Sequence, residues 1–126
     1  MERTAISPAD GAPPGGPYSP AIKHGNVLYV SGQVAVSPAT KTKVTGGFEA
    51  EVRQVLDNLK TVIVAAGGNM ASVLKVTVYL VDVADFAAMN EIYMAYFPEP
   101  RPARATVQAG LMGDFRVEID AIAGLP

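Results

Sequence analysis

The sequence predicts an α+β domain with two helices packed on one face of a mixed sheet. Three observations lead there. Two segments with helical apolar spacing alternate with β-branched segments, the chain closes on two further strands in succession, and 126 residues allow one core rather than two. A single domain over residues 1–126 is therefore expected. Hydrophobic residues make up 49% of the chain and charged residues 17%, too few charges to coat a surface of this size. The sheet face turned away from the helices is accordingly expected to lie against another copy of the chain.

The elements follow in order. Residues 7–20, SPADGAPPGGPYSP, hold five prolines and can form neither helix nor central strand, so a loop or extended arm is expected. HGNVLYVSGQVAV reads as strand on both sides of a break at Gly32, with a turn at Gly25-Asn26 ahead of it. Apolar residues at 48, 52, 55, 56, 59, 62 and 63 have helical spacing, and Gly67-Gly68 stops the run. SVLKVTVYLVD reads as a strand with Leu74, Val76, Val78 and Leu80 on one face and Lys75, Thr77 and Tyr79 on the other. Asp82 is placed as an N-cap with Asp85 in the first turn. Phe86, Met89, Tyr93 and Phe97 then recur at three or four residues, a second helix whose stripe reads as core and which Pro98 ends. The strands ARATVQA and FRVEIDAIA complete the chain.

Composition excludes several functions. Ten basic against twelve acidic residues, with no basic cluster, offer no electrostatic footprint for a nucleic-acid backbone. With no cysteine there is no disulfide framework, no thiolate nucleophile and no cysteine zinc site. The only histidine, His24, lies beside a turn and reads as an exposed structural residue; no metal is expected. The glycines at 11, 15 and 16 lack the Lys-Ser/Thr and the helix of a phosphate loop. MERTAISP has neither the basic nor the apolar part of a signal peptide, and no apolar run reaches a membrane span. A soluble cytoplasmic protein is expected.

Candidate chemistry gathers at the end of the chain. Alternation puts Arg104, Thr106 and Gln108 on one face of their strand and Ala103, Ala105, Val107 and Ala109 on the other, whereas Arg101 sits between two prolines and reads as a solvated cation. Arg116, Glu118 and Asp120 fall on one face of the last strand, and parity permits Glu118 to face Arg104 if the two strands pair. Tyr18, in a proline-stiffened loop, reads equally as a hydrophobic plug or a pocket wall. Asn90 interrupts the apolar stripe of the second helix and needs a partner if buried.

Taken together, GPYSPA, LYVSGQ, VLDNLKTVIVAAG, VTVYLVDVADFAAMNEIYMAYF, and RPARATV followed by VEIDAIA resemble the RidA/YjgF family of reactive-intermediate deaminases, from about Ile6 to Ala123. The resemblance implies a chorismate-mutase-like α+β fold, the YjgF-type mixed sheet with two helices on one face. It also implies a homotrimer with a site in each cleft between subunits, and because a protonated imine is already electrophilic no organic cofactor and no metal are expected. It implies hydrolysis of enamines and imines such as 2-aminoacrylate and 2-iminopropionate to 2-keto acids and ammonia, the activity of a 2-iminobutanoate/2-iminopropanoate deaminase. On this pattern Arg104 holds the substrate carboxylate and Glu118 positions the hydrolytic water. Tyr18, Ser31, Gly32, Phe86 and Asn90 line the cleft, together with Thr106 at a position where many relatives carry cysteine. The segment between Arg104 and Glu118 is one residue shorter than the usual pattern, and the turn GLMGD is expected to absorb the difference.

The chemistry suits the assignment. A 2-imino acid carries a carboxylate that a planar guanidinium grips bidentately, and a carboxylate beside its imine carbon gives general acid/base help of ~10² to 10⁴-fold. Other readings are a trimer that binds small carboxylates without catalysis, a pyrimidine-catabolism branch of the same family acting on aminoacrylate, and, less well supported by the acidic composition, an endoribonuclease or translation inhibitor.

Overall fold

The computed structural model describes residues 2–126. Six strands and two α-helices run in the order β1 (Arg3–Ile6), β2 (Ala21–His24), β3 (Val27–Gln33), α1 (Phe48–Ala65), β4 (Val73–Leu80), α2 (Phe86–Tyr96), β5 (Ala103–Gln108), β6 (Val117–Gly124). They form one sheet of order β1-β2-β3-β6-β4-β5, antiparallel except for the parallel pair β4 and β5. This is the mixed sheet the sequence predicts.

Local chemistry explains the elements. The β2–β3 hairpin turns on two residues, and Gly25 takes φ 62, the left-handed value a type II′ turn needs at its first central position. In α1 all seven positions chosen by helical spacing, Phe48, Val52, Val55, Leu56, Leu59, Val62 and Ile63, are buried; they face β3, β6 and α2. Gly67, at φ 96, ends the helix as expected. Asp82 caps a short 3₁₀ turn, accepting from the Ala84 N–H at 2.9 Å, and α2 begins at Phe86.

Four expectations need correction. Gly32 does not break β3 but sits in a bulge between Val30 and Gln33, and the strand ends at Gln33, so Val34–Val36 lie outside it. Leu74 is 55% exposed rather than core, because a register shift between Val73 and Lys75 turns Val73 inward in its place. Arg116 precedes β6 and does not share the face of Glu118. Its guanidinium lies 4.9 Å from the Phe48 ring centroid and donates to both oxygens of Asp85 at 2.9 Å, clamping the starts of both helices. Within the N-terminal segment, Arg3–Ile6 form β1 on the sheet edge beside β2, an element not read from the sequence.

The fourth correction concerns β5 and β6, which are not neighbours. Both pair with β4, and the register fixes their faces: Val76 stands between Arg104 and Ala121, Val78 between Thr106 and Ile119, and Tyr79 between Val107 and Glu118. Residues in one row across a sheet point the same way. Val76, Val78, Ile119 and Ala121 are buried toward the helices, so Arg104 and Thr106 point there too. Glu118 and Val107 share the opposite face. Parity within β5 and β6 was right, but the intervening strand places Arg104 and Glu118 of one chain on opposite sides of the sheet.

Among the described residues, no helix packs on that opposite face. Tyr29, Leu74 and Val107 lie on it at 43–55% exposure, with Ile122 partly buried beside them and a Tyr79–Asp120 hydrogen bond of 3.0 Å. Among the described residues no helix is long and apolar enough to cross a membrane.

Candidate active site

The predicted site residues divide into two half-sites. One surrounds Glu118. The β3 bulge sets Ser31 and Gly32 against β6 where the ladder is interrupted, a device that re-aims side chains near sites. A cavity of about 580 Å³ opens there, lined by Tyr18, Ser31, Gly32, Phe115 and Glu118 among others. Tyr18 is thus a pocket wall rather than a plug: it is 49% exposed, and its hydroxyl accepts from the Gly15 N–H at 3.0 Å. The Ser31 hydroxyl donates to the Ser19 carbonyl at 2.6 Å, tying β3 to the loop that carries Tyr18.

Gly32 is a seat for the carboxylate. A Cβ built on it would stand 2.8 Å from Glu118 Cδ and 3.1 Å from Cγ, and closer still to Oε2. Its backbone is not left-handed, so the requirement is space. Glu118 has no hydrogen-bond or ion-pair partner among the described residues. Burial first, and then the charge of Asp120, pushes its carboxyl above the ordinary 4.5. A desolvated carboxylate in a cavity, with an elevated affinity for protons, is suited to accept one.

The second half-site surrounds Arg104, under α2. The guanidinium lies 4.8 Å from the Tyr93 ring centroid and 5.6 Å from that of Phe86, cation–π contacts that hold it without neutralising it. Phe86 is consequently a 44% exposed lid over the arginine and not core, unlike Met89, Tyr93 and Phe97. Among the described residues, the buried side-chain polar atoms that find no partner are Asn90 Oδ1, Tyr93 OH and Thr106 Oγ1. All three belong to the side of α2 and β5 that Arg104 occupies. Burial pushes the Tyr93 phenol up, against a lowering by the Arg104 charge. Buried polar groups are nearly always satisfied, so this cluster has the form of a binding surface awaiting its complement.

Arg101, by contrast, pairs with Glu99 at 3.1 Å in solvent. His24 is exposed on β2, and among the described residues no three His, Asp or Glu side chains gather as metal ligands would.

Two polar residues that sequence reasoning missed support the Glu118 half. Glu51, 3% exposed, accepts from the Arg116 N–H at 3.0 Å and lies 3.7 Å from Lys43 Nζ. Asn58, 2% exposed, donates to the carbonyls of Val34 and Val36. They moor the two segments that wall the cavity to α1. A signal existed, since 48, 51, 55, 58 and 62 form an unbroken ladder of three- and four-residue steps along the buried face.

Comparison with known proteins places this arrangement among relatives. The sequence model of the family described as endoribonuclease L-PSP matches residues 10–125. The chain is 50% identical to a RutC family protein of Pyrococcus horikoshii, over 87% of this chain and 88% of that one. It is 43% identical to a 2-iminobutanoate/2-iminopropanoate deaminase of Capra hircus, over 98% and 90% respectively. The crystal structure of RidA from an Antarctic Psychrobacter is similar with a TM-score of 0.93 at 40% identity, covering 97% of this chain and 99% of that one.

Proposed function

Because the chain belongs to the endoribonuclease L-PSP family, that of the YjgF/RidA proteins, we propose that it is a hydrolytic deaminase of reactive 2-imino acids. It works as a homotrimer in which each site joins the Arg104 half of one subunit to the Glu118 half of the next. One observation carries this reading: each half is incomplete in a single chain, with orphaned polar atoms at Arg104 and an unpartnered carboxylate in a cavity at Glu118, on opposite sheet faces.

The substrate carboxylate docks on the Arg104 guanidinium, whose charge no acidic residue of its own chain neutralises. Hydroxyls of Tyr93 and Thr106 are available as further donors, and Asn90 Oδ1 as an acceptor for an N–H. Water held by Glu118 attacks the imine carbon; the new C–O bond forms as the C=N π electrons move to nitrogen, and a water proton passes to Glu118. The protonated carboxyl returns that proton to the nitrogen. The hydroxyl proton then passes through Glu118 to the amine nitrogen as the C–N bond breaks with its electron pair on nitrogen, so that ammonia leaves and the carbonyl of the 2-keto acid forms. Docking by the arginine holds the imine carbon at the water, which is where most of the acceleration arises. Apolar sheet surface around Tyr29, Leu74 and Val107 is covered by the neighbouring subunit.

The test is the hydrolysis of 2-iminopropionate generated in place by an amino-acid oxidase. The protein accelerates loss of the imine, Arg104→Ala abolishes the effect, and Arg104→Lys lowers it by about 10-fold or more, the loss of one charge-assisted bond of a bidentate pair. Full activity in either variant contradicts the assignment, and keto-acid binding without acceleration of any imine would make the protein a binder instead.

A further inference from the structure

The turn between β5 and β6 plays no part in the reaction described so far. It carries Met112, 90% exposed and the most exposed of the large apolar side chains. Methionine there is nevertheless a wall of the Glu118 cavity, beside Tyr18, Val34 and Phe115. Gly113 takes φ 72 and reverses the chain after it. From Asp114 onward the segment is pinned: Lys43 Nζ donates to the Asp114 carbonyl at 3.0 Å and lies 5.9 Å from the Phe115 ring centroid, and Glu51 holds the Arg116 N–H. Phe115 is therefore a fixed wall, whereas Met112 has open space around it.

Polar groups around this space are already engaged. Ser31 bonds to Ser19, and the Tyr18 hydroxyl takes the Gly15 N–H. Glu118 is the free one, and it belongs to the chemistry. Beyond it the lining is Val34, Phe115, Met112 and Tyr18, with no cation, and the Tyr18 hydroxyl, which accepts from Gly15, is the side-chain donor left over. The cavity is about 580 Å³ in the single chain, within the ~300–1,000 Å³ range of ligand pockets, and the methyl group of 2-iminopropionate fills little of it even with the neighbouring subunit's Arg104 half in place.

We propose that this space is the subsite for the substrate side chain, that it takes apolar groups larger than methyl, and that Met112 is the residue that sets its selectivity. The inference rests on the deaminase reading. With the carboxylate on Arg104 and the imine carbon at Glu118, the side chain extends toward Phe115 and meets Met112 on its outer side. An unbranched, polarizable thioether adapts to aliphatic or aromatic shapes. An anionic side chain meets the Glu118 carboxylate and no cation among the lining residues, and is disfavoured.

The test compares kcat/KM on imines made in place from alanine and from leucine, for wild type, Met112→Ala and Met112→Lys, with each protein sized by sedimentation. The wild type prefers the leucine-derived imine. Both variants lose about 10-fold on it, the low end of the effect of a hydrophobic pocket group, while the alanine-derived imine changes less than about 2-fold because its methyl does not reach Met112. Equal losses on both imines, no loss on either, or a change of oligomeric state in the variants overturns the inference, the last by making Met112 a subunit contact. If the wild type accelerates neither imine, the deaminase reading itself falls; if it accelerates them and only the ratio fails to move, this inference alone falls.

Discussion

Gly32→Ala adds a single methyl group to the place where the Glu118 carboxylate rests. The new Cβ would stand 2.8 Å from Cδ and 3.1 Å from Cγ, whereas carbon atoms settle at ~3.5–4.0 Å. Gly32 lies in the bulge, but β3 is held on either side of it, Val30 by Ala21 and Ala121 and Gln33 by Ile119, so the flexible glutamate gives way, by about 1 Å on that van der Waals spacing. A misplacement of ~1 Å at a reacting group costs about 10²-fold in rate. Arg104 lies on the other sheet face and keeps its grip. The variant is therefore expected to lose about 10²-fold in kcat with KM within about 3-fold, the signature of an interaction lost from the reacting centre and not from docking. Alanine suits an extended strand at least as well as glycine, so the urea midpoint should not fall. Imine hydrolysis followed over a range of substrate concentrations, together with urea unfolding, reads both quantities. A kcat within about 3-fold of wild type would refute the idea that the seat on Gly32 positions the carboxylate.

Two further outcomes follow from the same geometry. Burial, reinforced by Asp120, raises the Glu118 carboxyl above 4.5, so the folded protein holds that proton more tightly than the unfolded chain. Stability from this group is present below the unfolded value and lost as pH rises through the folded one. Glu118→Gln, which cannot ionise, should match wild type at about pH 4 and exceed it at about pH 7 in urea unfolding, while the acid limb of the wild-type rate profile should lie above 4.5; an equal difference at both pH values would contradict this. At α1, Glu51→Ala strands the Arg116 N–H and should cost about 2 kcal/mol. Glu51→Gln keeps an acceptor and should cost about half as much by the same measurement, and equal losses would show that the acceptor is not what matters.

How much of this was legible in the sequence depended on whether a signal was local. Helix α1 was read to the residue because seven apolar positions recur on one face and a glycine pair ends the run. Leu74 misled because alternation assumes an uninterrupted ladder, and one extra residue at the bulge exchanges inside for outside. Arg116 misled for a related reason, since it precedes the strand whose parity was applied to it. Glu51 and Asn58 were passed over as polar although their spacing put them on the buried face. The resemblance supplied Arg104 and Glu118 together, yet the faces of β5 and β6 are related only through β4, and strand order is a tertiary fact that alternation within each strand does not contain. Once that order is fixed, Arg104 and Glu118 of one chain stand on opposite faces of the sheet, which is what the proposed two-subunit site answers.

The most direct test of the central claim, that one site takes Arg104 and Glu118 from different subunits, is complementation between two inactive variants. Arg104→Ala and Glu118→Ala are each expected to show no acceleration of imine hydrolysis. Co-assembled at equal amounts into mixed cyclic trimers, a site is intact when the subunit supplying Arg104 carries the Glu118 change and its neighbour carries the other, which random mixing gives at about 25% of sites. The account predicts recovery of about one quarter of the wild-type rate under those conditions. Co-assembled trimers with no activity would mean that both residues act from the same chain, and the account would be wrong.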